Sequence, residues 1–211
     1  STMSFSAEAQ IVRELGKFLL DGSLYQGFKP VFWSTVEKTA LADAEVEYQD
    51  HTSNTIFVAF KVKESSKEFL KDSNIIIWTT TPWTIPANKA LAFNSSIEYA
   101  LVEIDELENF KEKKIIVATN LLDSIIKSCN IEKFKVLKTF NGLEFTGTIC
   151  KHPFEKLGYN FDVPMLEANF VTLEQGTGIV HCAPSHGPDD FNLCLNHNIS
   201  SKYTIDNAGY Y

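Results

Sequence analysis

From Asn54 onward the chain breaks into apolar runs of strand length, each closed by turn-forming residues. Between Asn54 and Val62, Ile56, Val58, Phe60 and Val62 alternate with Thr55, Phe57, Ala59 and Lys61, the period-two pattern of a half-buried strand. Similar runs occupy Asn74 to Trp78, Leu91 to Phe93, Tyr99 to Ile104, Lys114 to Ala118, Phe134 to Phe140, Thr146 to Cys150 and Gly178 to His181. Upstream, Val31 to Trp33 and Ala44 to Gln49 also read as strands, with His51, Thr52 and Ser53 as a hairpin turn before Asn54. Helical spacing is rarer. Ile11, Val12, Leu15, Phe18 and Leu19 fall on one face of a helix from Glu8 to Leu20, with Gly22 free to end it in a left-handed conformation. Shorter helices are predicted at Leu121 to Ser128 and Pro188 to His197. Strands that outnumber helices in this way predict a barrel or a strongly bent sheet decorated by helices.

With 211 residues, 44% of them hydrophobic, the chain can bury one substantial core. No apolar run is long enough to span a membrane, and Ser1 to Gln10 lacks the charged and apolar parts of a secretion signal. Ser1 and Thr2 ahead of Met3 read as a cloning remnant. The net charge of −8 opposes broad wrapping of a phosphate backbone, so nucleic-acid contact must be local. Cys129, Cys150, Cys182 and Cys194 share no CxxC spacing and lie beside apolar segments, which fits a reducing compartment. The cluster Lys111 to Lys114 reads as a solvated turn. No GxxxxGK[ST], GxGxxG, HExxH or GxSxG signature occurs, which excludes the chemistry those devices run.

Two segments carry more polar chemistry than a scaffold needs. In Trp78 to Asn88, WTTTPWTIPAN, the hydroxyls of Thr79, Thr80, Thr81 and Thr84 gather at a strand end, each able to donate and accept. Pro82 and Pro86 stiffen that loop and remove backbone donors. Threonine also simply favours strands, and proline follows them. In Gly176 to Phe191, GTGIVHCAPSHGPDDF, Gly176 and Gly178 permit a bend or a close approach of ligand, a short strand reaches His181, and a loop leads into a helix opening at Pro188. Asp189 and Asp190 both suit the positive end of that helix. Helical geometry separates them: against an apolar face of Phe191, Cys194 and Leu195, Asp190 lies roughly 90° from the centre and Asp189 roughly 170°. Asp190 alone can border a cleft, where the helix dipole would keep it ionised to hold a ligand ammonium. His181 reads either as a satisfied cleft-edge histidine or as a site residue, and His186 as a loop brace. A zinc site from these two histidines and an aspartate follows no recognised ligand spacing.

Together, the two segments resemble the paired motifs of the inserted editing domain of the isoleucyl-tRNA synthetase family, class I. Leu24 to Tyr48 is similar to the stretch where that family's chain enters the insertion, so the resemblance runs from about Gly16 to the end. It implies an α+β, β-rich fold: a small mixed β-barrel decorated by short helices, with residues 1–211 a single editing domain and 1–30 its lead-in segment. Neither an HIGH-type nor a KMSKS-type signature occurs, so the chain resembles a module excised from a longer enzyme, without ligase activity. The implied activity is hydrolysis of valine wrongly esterified to isoleucine tRNA. The need for it is physical: one methylene is worth only about 1 to 3 kcal/mol to a hydrophobic pocket, isoleucine against valine in this synthetase being the established case.

The resemblance carries roles to matching residues. Asp190 would hold the substrate ammonium, His181 would stand at the pocket wall and reject the larger side chain, and Thr79 and Thr80 would serve the catalytic centre. Thr81, Trp83, Thr84, Asn88, Gly176, Gly178 and His186 would contact substrate. No cofactor or metal is implied. The implied partners are the aminoacylated 3′ end of isoleucine tRNA and, as small ligands, valine and valyl-adenylate. A cytoplasmic monomer with no membrane association is expected. Two other readings stay open: a module that binds the aminoacylated end without catalysis, and a metal-dependent hydrolase using His181 and His186.

Overall fold

The computed structural model describes residues 1–105, 107, 110–201 and 203–211. Helix α1 (Phe5–Leu20) is followed by the small hairpin β1 (Trp33–Ser34) and β2 (Thr39–Ala40). Next come β3 (Ile56–Glu64), β4 (Asn74–Thr79), β5 (Ala90–Phe93), β6 (Glu98–Ile104) and β7 (Lys114–Ala118). Helix α2 (Leu122–Ser128) leads to β8 (Phe134–Asn141), β9 (Ile149–Lys151), β10 (Asp162–Glu167), β11 (Val180–Cys182) and α3 (Pro188–Asn196).

Strands β3 to β11 form one mixed sheet of nine, in the order β11-β5-β10-β9-β3-β4-β7-β6-β8. Its β10/β5 and β4/β7 pairs are parallel and the rest antiparallel. β4 explains why Ile75, Ile76 and Ile77 read as an unbroken apolar run. Ile75 and Ile77 face the main core with Phe60, Leu101 and Ile116, while Ile76 faces the opposite side with Val102, Val117 and α2 residues Leu122 and Ile125. Both faces of this strand are covered, so neither position can be polar. The sheet curls until β11, at one end of the pairing order, packs against β4, the sixth strand in it. At the same seam the Ala118 N–H donates to the Thr177 carbonyl at 2.8 Å. The β-rich α+β class and the bent, barrel-like sheet read from the sequence are thus present, although among the described residues no ladder joins β11 to β4.

Several expectations need correction. Ala44 to Gln49 is not a strand: its first residues belong to the 3-10 turn Asp43–Glu45, and among the described residues no strand pairs with the rest. His51 to Ser53 is therefore no hairpin turn. The strand expected from Thr146 starts at Ile149, because the 3-10 turn Gly142–Phe145 precedes it. β10 was not foreseen, since Pro164 sits inside it. That proline lies where β10 changes partner, from β9 at Asp162 to Pro164 to β5 at Met165 to Glu167, so its missing N–H removes no central rung. α1 forms, but none of its residues is buried, so its apolar face is uncovered among the described residues. On α3, Cys194 is buried but Leu195 is exposed, and Leu193 packs on the core in its place. Cys150, Cys182 and Cys194 are buried free thiols, and Cys129 is half-buried and free. Among the described residues no helix is long and apolar enough to cross a membrane.

Candidate active site

The seam between β4 and β11 places the end of each strand beside the other. β4 stops at Thr79, and the chain turns through Thr80 and Thr81 into the 3-10 segment Pro82–Ala87. β11 stops at Cys182, and the chain turns through Ala183 and His186 into α3, whose first residue is Pro188. Between them opens a cavity of about 380 Å³ lined by Trp78, Thr79, Thr80, Thr81, Trp83 and Thr84 on one side and Val180, His181, Ala183, His186 and Asp190 on the other. That volume suits a small ligand rather than a macromolecule.

Most of the threonine hydroxyls brace their own loop. Thr79 Oγ1 accepts the Thr81 N–H at 3.0 Å and sits 3.2 Å from Thr81 Oγ1, while Thr84 Oγ1 donates to the Thr81 carbonyl at 2.8 Å. Thr80 is exposed. Because Thr84 spends its hydrogen on that carbonyl, its oxygen must accept from His181 Nε2, 3.0 Å away. Asn88 Nδ2 lies 3.4 Å from His181 Nδ1 and also donates to the Ala90 carbonyl at 2.9 Å. These partners assign His181 as the neutral Nε2–H tautomer. Burial pushes its pKa down to about 4, helped by His186 and His152. Among the described residues buried Asn88 Oδ1 has no hydrogen-bond partner.

Asp190, in the first turn of α3, folds back so that Oδ2 accepts the Ala183 N–H at 2.9 Å. Asp189 is exposed, so the helical-face distinction between the two aspartates is reproduced. The environment expected to favour the Asp190 charge needs correction. Burial outweighs the Ala183 hydrogen bond and, with a contribution from Asp189, raises its pKa to about 6. At neutral pH it is still mostly ionised, but the charge is poorly solvated and, among the described residues, has no cation partner. His186 Nε2 is 3.3 Å from Thr204 Oγ1, consistent with a loop brace, and burial lowers its pKa.

Asp190, His181, Thr79, Thr80, Thr81, Trp83, Thr84 and His186 therefore share one cavity wall. Three residues expected to contact substrate are absent from it. Asn88 is fully buried behind His181. Gly176 and Gly178 shape the seam: both have positive φ, and a Cβ on Gly178 would come within 2.4 Å of the Ala118 Cβ. Sequence reasoning overlooked His152, whose ring supports the threonine loop. Its partner Ile85 lies far away in sequence, so no local pattern marks it. Among the described residues no three His, Cys, Asp or Glu side chains group as a metal-ligand set.

The geometry is that of a small-ligand cavity where β4 meets β11, and comparisons with known proteins give the chain's family. Residues 1–176 match the family model for tRNA synthetases class I (I, L, M and V). The chain belongs to that family. It is 65% identical over its whole length to the isoleucine–tRNA ligase of Pelagibacter ubique (strain HTCC1062), covering 23% of that protein. To the isoleucine–tRNA ligase of Gluconobacter oxydans (strain 621H) it is 48% identical over 216 aligned residues, covering all of this chain and 22% of that one. The chain thus spans less than a quarter of the length of these relatives. In fold it is similar to the crystal structure of GlLeuRS-CP1, with a TM-score of 0.53 over 75% of this chain and 70% of that one, at 12% identity.

Proposed function

We propose that residues 1–211 act as a single editing module of an isoleucine-specific synthetase, with residues 1–30 as its lead-in segment, and that the module hydrolyses valine wrongly esterified to isoleucine tRNA. The observation that carries this reading is the Asp190 carboxylate, half-desolvated at the wall of a small cavity and, among the described residues, without a cation partner. A protonated α-amino group of an aminoacyl ester supplies the missing charge, and the charge-assisted hydrogen bond fixes the ester beside the threonine loop.

Little further catalysis is needed, because an aminoacyl ester is already activated. A water positioned next to the fixed ester attacks the carbonyl carbon, hydroxyl or backbone donors of the threonine loop stabilise the oxyanion, and the ribose oxygen leaves with a proton. The products are valine and free tRNA. His181, neutral and engaged at both nitrogens, is a poor general base. Its role is a wall, and the adjacent ribose hydroxyl is the better proton relay. The cavity as a whole is larger than one side chain, so rejection of isoleucine must arise in the corner beside His181. The −8 charge makes tRNA affinity local to the unpaired 3′ end, held by stacking and hydrogen bonds. Valyl-adenylate offers the same ammonium and is the small ligand of the same site. The setting of this activity is cytoplasmic, and the module works as a monomer.

The test is to incubate the purified chain with valyl and isoleucyl forms of isoleucine tRNA and follow release of the amino acid. Selective loss of valine is expected. Binding without loss of either would replace hydrolysis with a non-catalytic role, and a chelator that stops hydrolysis would restore the metal-dependent reading.

A further inference from the structure

The 3-10 segment Pro82–Ala87 carries Trp83 and Thr84 into the cavity wall, and its two prolines leave it short of backbone donors. Tyr211 Oη donates to the Trp83 carbonyl at one end of the segment, and His152, just after β9, holds the Ile85 carbonyl further along. His152 is 2% exposed, with its ring stacked on Tyr159 at 4.8 Å and set against Phe60 and Phe161. Its Nε2 lies 3.0 Å from the Ile85 carbonyl. A carbonyl only accepts, so Nε2 carries the hydrogen. Its Nδ1 then accepts the Phe154 N–H, at 3.1 Å. An apolar ring would fill this aromatic cage as well, so the histidine is distinguished by its polar edge.

The Ile85 carbonyl is shared. It also accepts the Asn88 N–H at 3.0 Å, and the Asn88 side chain reaches His181, which in turn meets Thr84. A continuous set of hydrogen bonds therefore runs from the buried cage to the cavity wall. We propose that His152 is a positioning residue for the editing site: by holding the Ile85 carbonyl it sets where Asn88, His181 and Thr84 stand. This rests on the hydrolytic reading of the cavity, and it assigns the loop's placement to a residue that touches no substrate.

Two substitutions separate anchoring from packing. His152→Gln puts an amide nitrogen close to where Nε2 stood and keeps the donor to Ile85. His152→Asn reproduces only the Nδ1 acceptor and falls short of Ile85. Both lose the ring, so both should lose similar thermal stability. In single-turnover hydrolysis of valyl-tRNA, the Gln variant should stay within about threefold of the parent chain, and the Asn variant should fall by roughly tenfold or more in rate constant rather than in affinity. Hydrogen exchange at the Thr84 and Asn88 amides should quicken in the Asn variant alone. Equal losses with equal exchange in both variants, or an Asn variant that behaves like the parent, would overturn the proposal. If the parent chain cleaves no ester, the editing reading fails by itself, and the exchange measurement still decides the anchoring. Should neither variant fold, the imidazole nitrogen shifts of His152 in the parent chain decide it: an Nε2–H tautomer supports the anchor and an Nδ1–H tautomer removes it.

Discussion

Replacing Asp190 with Asn should make the ligand-free chain more stable while removing its activity. Burial raises the Asp190 carboxyl from 3.8 to about 6, so keeping it ionised at neutral pH costs the folded state roughly 3 kcal/mol, at about 1.4 kcal/mol per pH unit. The substituted amide keeps an oxygen for the Ala183 N–H. Its NH2 group, incompletely satisfied, takes back about 1 to 2 kcal/mol of that gain. A net gain of roughly 1 to 2 kcal/mol at pH 7.5 corresponds to a midpoint about 2 to 8 °C higher for a chain of this size. The sign of the pH dependence follows from the raised value. Below about pH 4 the carboxyl is protonated in both folded and unfolded chains and the penalty is absent. It grows as pH rises toward 6, where the unfolded chain alone ionises readily, and is complete above that. Thermal unfolding followed by circular dichroism at pH 7.5 and pH 4 measures it. A variant no more stable than the parent at pH 7.5, or an advantage of the same size at pH 4, would refute the picture of a desolvated carboxylate held ready for a cation.

Asp189→Ala, on the exposed side of α3, should leave most of the valyl-ester hydrolysis intact; a loss matching that of Asp190→Ala would undo the distinction between the two positions. His181→Ala should open the wall to isoleucine, seen as release of isoleucine from its correctly charged tRNA. It should also lower stability by about 1 to 3 kcal/mol, because Thr84 and Asn88 lose a buried partner. Unchanged selectivity would reduce His181 to scaffold. Gly178→Ala should cost more in urea unfolding than Gly176→Ala. Both positions have positive φ, but the new Cβ would clash with the Ala118 Cβ at Gly178, whereas at Gly176 it would meet Trp78 at an ordinary 3.7 Å. Equal urea midpoints would contradict the tight seam.

The strands with one buried face, or two, were legible because their period or their run of isoleucines records the burial directly. Ala44, Val46 and Tyr48 show the same period with no partner strand among the described residues, so the pattern misled there. β10 was hidden by Pro164, whose tolerance depends on a change of partner that only the assembled sheet reveals. At the site, the angle between Asp189 and Asp190 on a helix was enough to assign their directions. The effect of burial on Asp190 was not, since it depends on β4 and β11 closing over it. Asn88, Gly176 and Gly178 sit inside the recognised motifs yet support the wall instead of lining it. His152 lies outside both motifs and meets its partner only once the chain is folded.

If a carboxylate in a small cavity captures the positive end of an aminoacyl ester, removing the charge from the substrate should suppress cleavage just as removing it from the protein does. Valyl-tRNA and its N-acetylated form share ester, side chain and nucleic acid, and differ in the ammonium. The purified chain should cleave the first and spare the second by roughly tenfold or more, the worth of one charged hydrogen bond. Equal rates of cleavage would mean that Asp190 plays no part in holding the substrate.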